Sequence, residues 1–246
     1  KAGRDVEWLR LNEITTFDGS WTWERIKAEH PDYKKSDIGT AFYIYDLKHS
    51  GEHRVRLVFN GSKQSPDTYS TTFAPTVRAE SIRLFHMLSV EYNHEIRQYD
   101  VPQAFLTSAV DCTIFLHPPK GNADFPGQIL MLKRMLYGAK QAAFLFYDAL
   151  SKFFMDLGFV ASDLDKCFFK RREADGSLSL MILHVDDFRL GATTMVLDEL
   201  YTLLFAKWQV TTCSGLRFLG MDVCYDRNSG FLKLSMETYI RETITR

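Results

Sequence analysis

The sequence predicts an α+β fold in which an antiparallel sheet is packed on helices. Short apolar segments separated by turn signals indicate strands, and longer segments carry apolar residues at helical spacing. No repeat, low-complexity tract or Gly/Ser linker divides the chain. Its 246 residues, 46% hydrophobic and 25% charged, are enough for one large core or two small ones. We therefore expect one interleaved unit rather than two tethered domains.

The first predicted elements are a hairpin and a helix. Residues 41–59 hold two aliphatic and aromatic runs on either side of residues 48–51, which is the pattern of two strands and a turn. Apolar residues then recur at helical spacing over residues 80–92, so this segment is predicted to be a helix with its apolar face inward. The helix leads directly into a strand that contains Asp100.

Helices and hairpins are also predicted for the second half of the chain. Apolar residues over 146–157 repeat at helical spacing, and Gly158 is suited to end that helix in a left-handed cap. Residues 167–190 read as strand, turn at Asp175-Gly176, strand through Val185, turn at two acids, and strand. A helix after Thr193-Thr194, two strands over residues 221–225 and 231–234, and a helix beginning near Met236 complete the pattern.

Two adjacent acids, Asp186 and Asp187, stand at the end of an apolar strand-like segment. Two ionised carboxylates about 4 Å apart repel by roughly 4 kcal/mol at an effective dielectric near 20. A proton or a hard divalent cation such as Mg²⁺ or Mn²⁺ would offset this repulsion. A tight turn also explains a bare Asp-Asp pair. Asp100 adds a third carboxylate, and three carboxylates on two strands can hold two metal ions for phosphoryl displacement.

A series of short motifs runs through most of the chain. They are Phe42-Tyr43-Ile44-Tyr45-Asp46-Leu47, Arg54-Val55-Arg56-Leu57-Val58, Phe73-Ala74-Pro75-Thr76-Val77-Arg78, Tyr99-Asp100-Val101, Leu136-Tyr137-Gly138-Ala139-Lys140-Gln141-Ala142, Leu157-Gly158-Phe159, His184-Val185-Asp186-Asp187 and Phe218-Leu219-Gly220. In this order they resemble the reverse transcriptase domain of copia-type (Pseudoviridae-like) LTR retrotransposons. The resemblance implies reverse-transcriptase-like fingers and palm. It places the fingers at residues 1–95 and 112–143, the palm at 96–111 and 144–226, and the palm end and start of the thumb at 227–246.

The resemblance also implies roles for individual residues. Asp100, Asp186 and Asp187 match the catalytic, metal-binding acids, which implies Mg²⁺, with Mn²⁺ as an alternative. Arg54, Arg56, Phe105 and Gln141 match residues that bind the incoming nucleotide, and Phe218, Leu219 and Gly220 match the primer grip. Phe105 would stack beneath the sugar and exclude a 2′-hydroxyl, although ordinary core packing explains this ring equally well.

Four departures from the family pattern stand near these residues. Ala143-Phe144 replaces a Pro and a basic residue, His184 replaces a Tyr, and Thr211 stands where a Lys is often found. Arg189 occupies a position that is usually apolar, from which it could partly neutralise the acid pair.

The resemblance implies an RNA-directed DNA polymerase that acts on an RNA template, a DNA primer and a dNTP. The alternative is a domesticated, inactive copy that serves as an RNA-binding or structural part of a ribonucleoprotein. A net charge of −1 is unusual for a nucleic-acid-binding chain and favours this alternative. With no apolar run long enough to span a membrane, an intracellular protein is expected, cytoplasmic or nuclear as a polymerase and organellar if domesticated.

Overall fold

The structure, a computed structural model, describes residues 2–47, 51, 53–120 and 128–245. The chain divides into two compact units, each built from two stretches of sequence. The first unit contains residues 1–73 and 103–146, and the second contains residues 74–102 and 147–246. These boundaries differ from those expected for fingers and palm, because residues 74–95 group with the Asp100 strand and residues 103–111 do not. The assignment to fingers and palm stays a prediction.

Helices and strands are interspersed along the described chain. The helices are α1 (Ala2–Glu13), α2 (Trp23–Glu29), α3 (Ala79–Glu91), α4 (Ala142–Asp156), α5 (Thr194–Trp208) and α6 (Glu237–Ile244). The strands are β1 (Phe17–Trp21), β2 (Gly39–Leu47), β3 (His53–Phe59), β4 (Glu95–Asp100), β5 (Phe115–His117), β6 (Ile129–Leu132), β7 (Val160–Ala161), β8 (Phe168–Arg172), β9 (Leu178–His184), β10 (Asp187–Ala192), β11 (Thr211–Cys213), β12 (Arg217–Phe218), β13 (Met221–Asp226) and β14 (Phe231–Ser235). No helix within the described ranges is both long and apolar enough to cross a lipid bilayer.

The first unit is built on a five-stranded sheet in the order β1-β6-β5-β2-β3, in which β2 and β5 are parallel and the other neighbours are antiparallel. Helix α1 packs against the edge strand β3. The buried Glu7 carboxylate accepts a hydrogen bond from the Leu57 amide at 3.3 Å and pairs with Arg10 at 2.6 Å. An edge amide is thereby satisfied by a side chain, which keeps it from pairing with another chain.

The second unit contains a six-stranded antiparallel sheet in the order β11-β4-β10-β9-β8-β7, and a three-stranded sheet in the order β12-β13-β14. Alternate residues of β10 face opposite sides of the larger sheet. Phe188 points to the side where its ring lies 6.0 Å from that of Phe154 on α4. Gly191 points to α3, where a Cβ atom would stand 2.8 Å from the Ser89 hydroxyl oxygen. The larger sheet is therefore covered by helices on both faces.

The α+β class and most predicted elements are confirmed. Gly158 has φ 86° and follows α4 as the predicted left-handed cap. The predicted turn at residues 48–51 falls on residues outside the described part of the chain, except Gly51. The prediction of a turn at both acids was wrong for one of them, because Val185 and Asp186 form the turn and Asp187 begins β10. The elements that were not predicted are α1, β1, α2, β5, β6, β7, β11 and β12.

Candidate active site

The structure brings the three acids together at one end of the six-stranded sheet. Asp187 on β10 lies directly opposite Asp100 on β4 in the antiparallel register. Directly opposed residues project their side chains to the same face of a sheet. Asp186 is held at the same end, since its carbonyl oxygen accepts a 3.4 Å hydrogen bond from the Val101 amide. Asp100 and Asp187, 87 positions apart in the sequence, therefore share one face of the sheet.

A strained two-residue turn presents Asp186 at the tip of the β9-β10 hairpin. His184 and Asp187 are the last paired residues, so Val185 and Asp186 form the loop. Val185 has φ 58°, whereas Asp186 has a negative φ. A positive φ at the first central residue alone is the pattern of a type II′ turn, where glycine is usual. Since a β-branched side chain disfavours this region, the site stores backbone strain.

Asp187 is the more enclosed member of the acid pair. The Gln98 side-chain amide donates to both of its carboxylate oxygens, at 2.9 and 3.1 Å. Burial nevertheless raises the pKa of Asp187 to about 6. The neighbouring charges of Asp100 and Asp186 raise this pKa further, while the Gln98 hydrogen bond and the Arg189 charge oppose the rise. Negative charge is therefore only partly compensated at this end of the sheet.

A fully buried cation, Arg189, lies on the same face as Asp187, two residues further along β10. Its Nε and Nη2 atoms donate to the Gln98 side-chain oxygen at 3.1 and 2.7 Å. Nη2 also donates to the Gly215 carbonyl oxygen at 2.8 Å, and the guanidinium carbon stands 4.7 Å from the centre of the Phe218 ring. Gln98 thus links Arg189 to Asp187, because it accepts from the guanidinium and donates to the carboxylate. The sequence predicted that Arg189 partly neutralises the acid pair, and the hydrogen-bonded link between them is indirect.

A buried histidine also contacts Arg189. His86 on α3 places Nδ1 2.7 Å from the Ile82 carbonyl oxygen and Nε2 3.1 Å from Arg189 Nη1. A neutral imidazole that donates through Nδ1 keeps Nε2 free to accept from Arg189. Burial lowers the pKa of His86 to about 4, and the Arg189 charge lowers it as well. The hydrogen bond from Arg189 therefore requires the neutral form of His86.

The three carboxylates have the oxygen-donor chemistry that Mg²⁺ and Mn²⁺ prefer. The partly uncompensated charge at Asp187 also suits a nearby cation. Within the described ranges, however, no group of three or more His, Cys, Asp or Glu side chains is arranged to hold a metal ion. The acids therefore suit a divalent cation by chemical type, whereas ligation by all three would require their side chains to turn.

Leu219 and Gly220 form a tight turn between β12 and β13. Phe218 and Met221 pair across it, and both turn residues have positive φ values of 49° and 79°, the pattern of a type I′ turn. A Cβ atom at Gly220 would lie 3.2 Å from the Tyr239 ring on α6, so glycine is favoured for space as well as for backbone angle. Phe218, a predicted primer-grip residue, is 1% exposed, which leaves Leu219 and Gly220 as the accessible part of the motif.

In the first unit, Arg56 and Phe105 both lie close to the Tyr137 ring. The Arg56 guanidinium carbon stands 5.6 Å from the centre of the Tyr137 ring, and the Phe105 ring centre stands 4.8 Å from it. Arg54 lies two residues from Arg56 on β3 and therefore on the same face. The main chain of Tyr137 is held by β3, because the Tyr137 carbonyl oxygen accepts a 2.8 Å hydrogen bond from the Phe59 amide.

Gln141 occupies a different environment from the other predicted nucleotide-binding residues, because it is fully buried. Its side-chain oxygen accepts from the Gln64 amide at 2.8 Å, and its own amide donates to the Thr68 carbonyl oxygen at 2.8 Å and to Asp111 at 3.3 Å. These bonds join three segments of the first unit. Direct contact of Gln141 with a nucleotide would require this cluster to open, and that role stays a prediction.

Comparison with known proteins settles the family. A family model described as "Reverse transcriptase (RNA-dependent DNA polymerase)" matches residues 22–246. The chain belongs to this reverse transcriptase family. The resemblance to copia-type retrotransposons is thus confirmed by a family match and by relatives from transposons.

Several transposon polyproteins are similar to this reverse transcriptase chain. The retrovirus-related Pol polyprotein from transposon RE2 of Arabidopsis thaliana is 28% identical, over 100% of this chain and 17% of that protein. The corresponding polyprotein from transposon TNT 1-94 of Nicotiana tabacum is 27% identical, over 83% of this chain and 16% of that protein. The transposon Ty1-NL2 Gag-Pol polyprotein of Saccharomyces cerevisiae is 24% identical, over 92% of this chain and 13% of that protein. The chain thus spans about a sixth of these relatives or less.

A solved structure agrees with the fold. The foamy viral protease-reverse transcriptase in complex with double-stranded DNA superposes with a TM-score of 0.50 and 11% identity, over 94% of this chain and 34% of that chain. The reverse-transcriptase-like fold class is therefore confirmed.

Two residues of the candidate sites were missed as functional by sequence reasoning. Gln98 stands two residues before Asp100, and strand periodicity alone places both side chains on one face. Tyr137 belongs to the Leu136–Ala142 motif, but its proximity to both Arg56 and Phe105 depends on contacts between distant segments. Both sets of contacts join segments that are distant in the sequence, so local pattern could not reveal them.

Proposed function

We propose that this chain supplies the fingers and palm of an RNA-directed DNA polymerase, which extends a DNA primer on an RNA template. The observation that carries the proposal is the direct opposition of Asp100 and Asp187 across β4 and β10, beside Asp186 at the hairpin tip. Carboxylates from two strands at one sheet end are what two-metal nucleotidyl transfer requires. The family match supports the same activity.

In this proposal Asp100 and Asp186 hold Mg²⁺, or Mn²⁺ as an alternative. When bound, the ions supply activation of the primer 3′-hydroxyl and charge neutralisation of the departing pyrophosphate. Asp187 has a lesser share in metal binding, because both of its oxygens already accept hydrogen bonds from Gln98. Its negative charge still strengthens the attraction of the site for cations.

The remaining roles are those that the family resemblance implies. Arg54 and Arg56 bind the triphosphate of the dNTP, since guanidinium groups donate to phosphate oxygens in pairs. Phe105, supported by Tyr137, presents a flat ring to the sugar and excludes a 2′-hydroxyl. The turn at Leu219 and Gly220 contacts the primer strand.

Primer extension on an RNA template tests this function. We expect the chain to extend a DNA primer with dNTPs and Mg²⁺, and Asp186→Asn to abolish extension while leaving template-primer binding intact. Asp163→Asn is the matched control, because the Asp163 side chain is fully exposed and forms a surface ion pair with Lys166. Extension by Asp186→Asn at the rate of the control would contradict the proposal.

A second candidate function is an RNA-binding component of a ribonucleoprotein that has lost its chemistry. The lack of a metal-ready acid cluster in the described ranges and the net charge of −1 favour it. Equal RNA binding by the unaltered chain and Asp186→Asn, with extension by neither, would support this candidate instead.

A further inference from the structure

We propose that Arg189 is a positioning residue that couples the strand carrying Asp187 to residues 215–220, the segment of the expected primer grip. The identification of these two parts as a catalytic strand and a primer grip rests on the proposed function. The coupling between them does not depend on that identification. The proposal assigns a task to a cation that is fully buried on the larger sheet.

One guanidinium makes contacts in two directions. Toward the acids it donates twice to the Gln98 side-chain oxygen, and this fixes the Gln98 amide nitrogen toward Asp187. Toward the primer-grip segment it donates to the Gly215 carbonyl oxygen and lies over the Phe218 ring. A guanidinium is a rigid, planar fork, so a shift of one set of partners is transmitted to the other.

An apolar side chain would fill the same space without the cost of burying a charge. In the row of residues paired across the sheet at this position, Arg189 stands between Gln98 on β4 and Ile182 on β9. None of its hydrogen bonds described above goes directly to a carboxylate, so simple ion pairing does not explain it. Unlike apolar packing, hydrogen bonds fix the orientation of the groups they join, because they weaken steeply when donors and acceptors are misaligned.

The primer-grip segment, residues 215–220, has little regular secondary structure of its own. Strand β12 contains only Arg217 and Phe218, at the edge of the three-stranded sheet. Gly215, Leu219 and Gly220 have positive φ values of 69°, 49° and 79°. A segment with so short a strand and so many left-handed residues gains little rigidity from its own backbone. The bond from Arg189 to Gly215 ties it to the larger sheet.

Amide hydrogen exchange tests the coupling without any reaction. We expect Arg189→Met to speed exchange of residues 215–223 by about tenfold, because a charge-assisted hydrogen bond is lost, while β9 stays protected. Arg171→Met is the matched control. Arg171 also lies over a phenylalanine ring, at 4.9 Å from Phe159, and also donates to a main-chain oxygen, that of Leu157.

Arg189→Lys separates charge from geometry, and it also serves if Arg189→Met does not fold. Lysine keeps the charge but cannot bind Gln98 and Gly215 with one planar group, so we expect faster exchange of residues 215–223 here as well. We further expect both variants to raise the KM for template-primer several-fold more than they lower kcat.

The exchange measurements test the coupling, and primer extension tests the proposed function. Unchanged exchange over residues 215–223 in both variants, or equally faster exchange over β9, would overturn the coupling. If the unaltered chain extends no primer while the exchange results are as expected, the polymerase proposal fails and the coupling stands.

Discussion

At the residue scale, the adjacent acids Asp186 and Asp187 have different surroundings. Asp186 occupies the hairpin turn, whereas Asp187 begins a strand and accepts two hydrogen bonds from Gln98. We therefore expect Asp186→Asn to lower the extension rate by at least about a thousandfold, as loss of a principal metal ligand would. Asp187→Asn should cost about ten- to a hundredfold. Single-nucleotide incorporation at saturating substrate measures both, and equal losses would contradict the distinction.

The buried His86 predicts how stability depends on pH. Its pKa of about 4 in the folded chain is lower than the ordinary 6.5, so the unfolded chain takes up the proton first as pH falls. Stability contributed by neutral His86 is complete above pH 6.5 and is lost between pH 6.5 and 4. We expect the unaltered chain to lose about 2 kcal/mol more than His86→Gln between pH 7.5 and 4.5. Denaturant unfolding at both pH values measures this, and identical losses would refute the assignment.

At the element scale, the β9-β10 hairpin carries strain at Val185. Its φ of 58° suits glycine at the first position of a type II′ turn. Val185→Gly should therefore stabilise the chain by about 1 kcal/mol, after the flexibility of glycine in the unfolded state is subtracted. Thermal or denaturant unfolding measures the change. Destabilisation by a similar amount would show that side-chain packing of Val185 outweighs the backbone strain.

The packing of α3 on β10 depends on the absence of a side chain at Gly191. A Cβ atom there would stand 2.8 Å from the Ser89 hydroxyl oxygen and 3.3 Å from the Phe85 ring. We expect Gly191→Ala to destabilise the chain by about 1–3 kcal/mol, as overpacking does. Adding Ser89→Ala should restore part of the loss, because it removes the nearest atom. Additive losses in the double variant would rule out this steric explanation.

At the scale of the whole molecule, sequence reasoning predicted what depends on local pattern. The strand that ends at Asp100, the two strands on either side of Asp186, the helix ended by Gly158 and the hairpin at Asp175-Gly176 follow from periodicity and turn chemistry. Helix α1 was missed because its exposed face carries Val6 and Leu9, which blurs the helical pattern.

The contacts within the candidate site required the register of the sheet. Gln98 meets Arg189, 91 residues away, because β4 pairs with β10 in one particular alignment. A shift of one residue would turn all of these side chains to the opposite face. The burial of Gln141 likewise depends on bonds to Gln64 and Thr68, more than 70 residues earlier. Local pattern carries no information about such partners.

The central claim is that Asp100 and Asp186 act as one catalytic site. RNA-templated primer extension by Asp100→Asn, Asp186→Asn and the double variant, each normalised to template-primer binding, tests it most directly. We expect each single change to lower the rate by at least about a thousandfold and the double change to cost little more, because residues that act as a unit are strongly non-additive. Extension by Asp100→Asn at close to the unaltered rate, or losses that multiply in the double variant, would contradict a shared site.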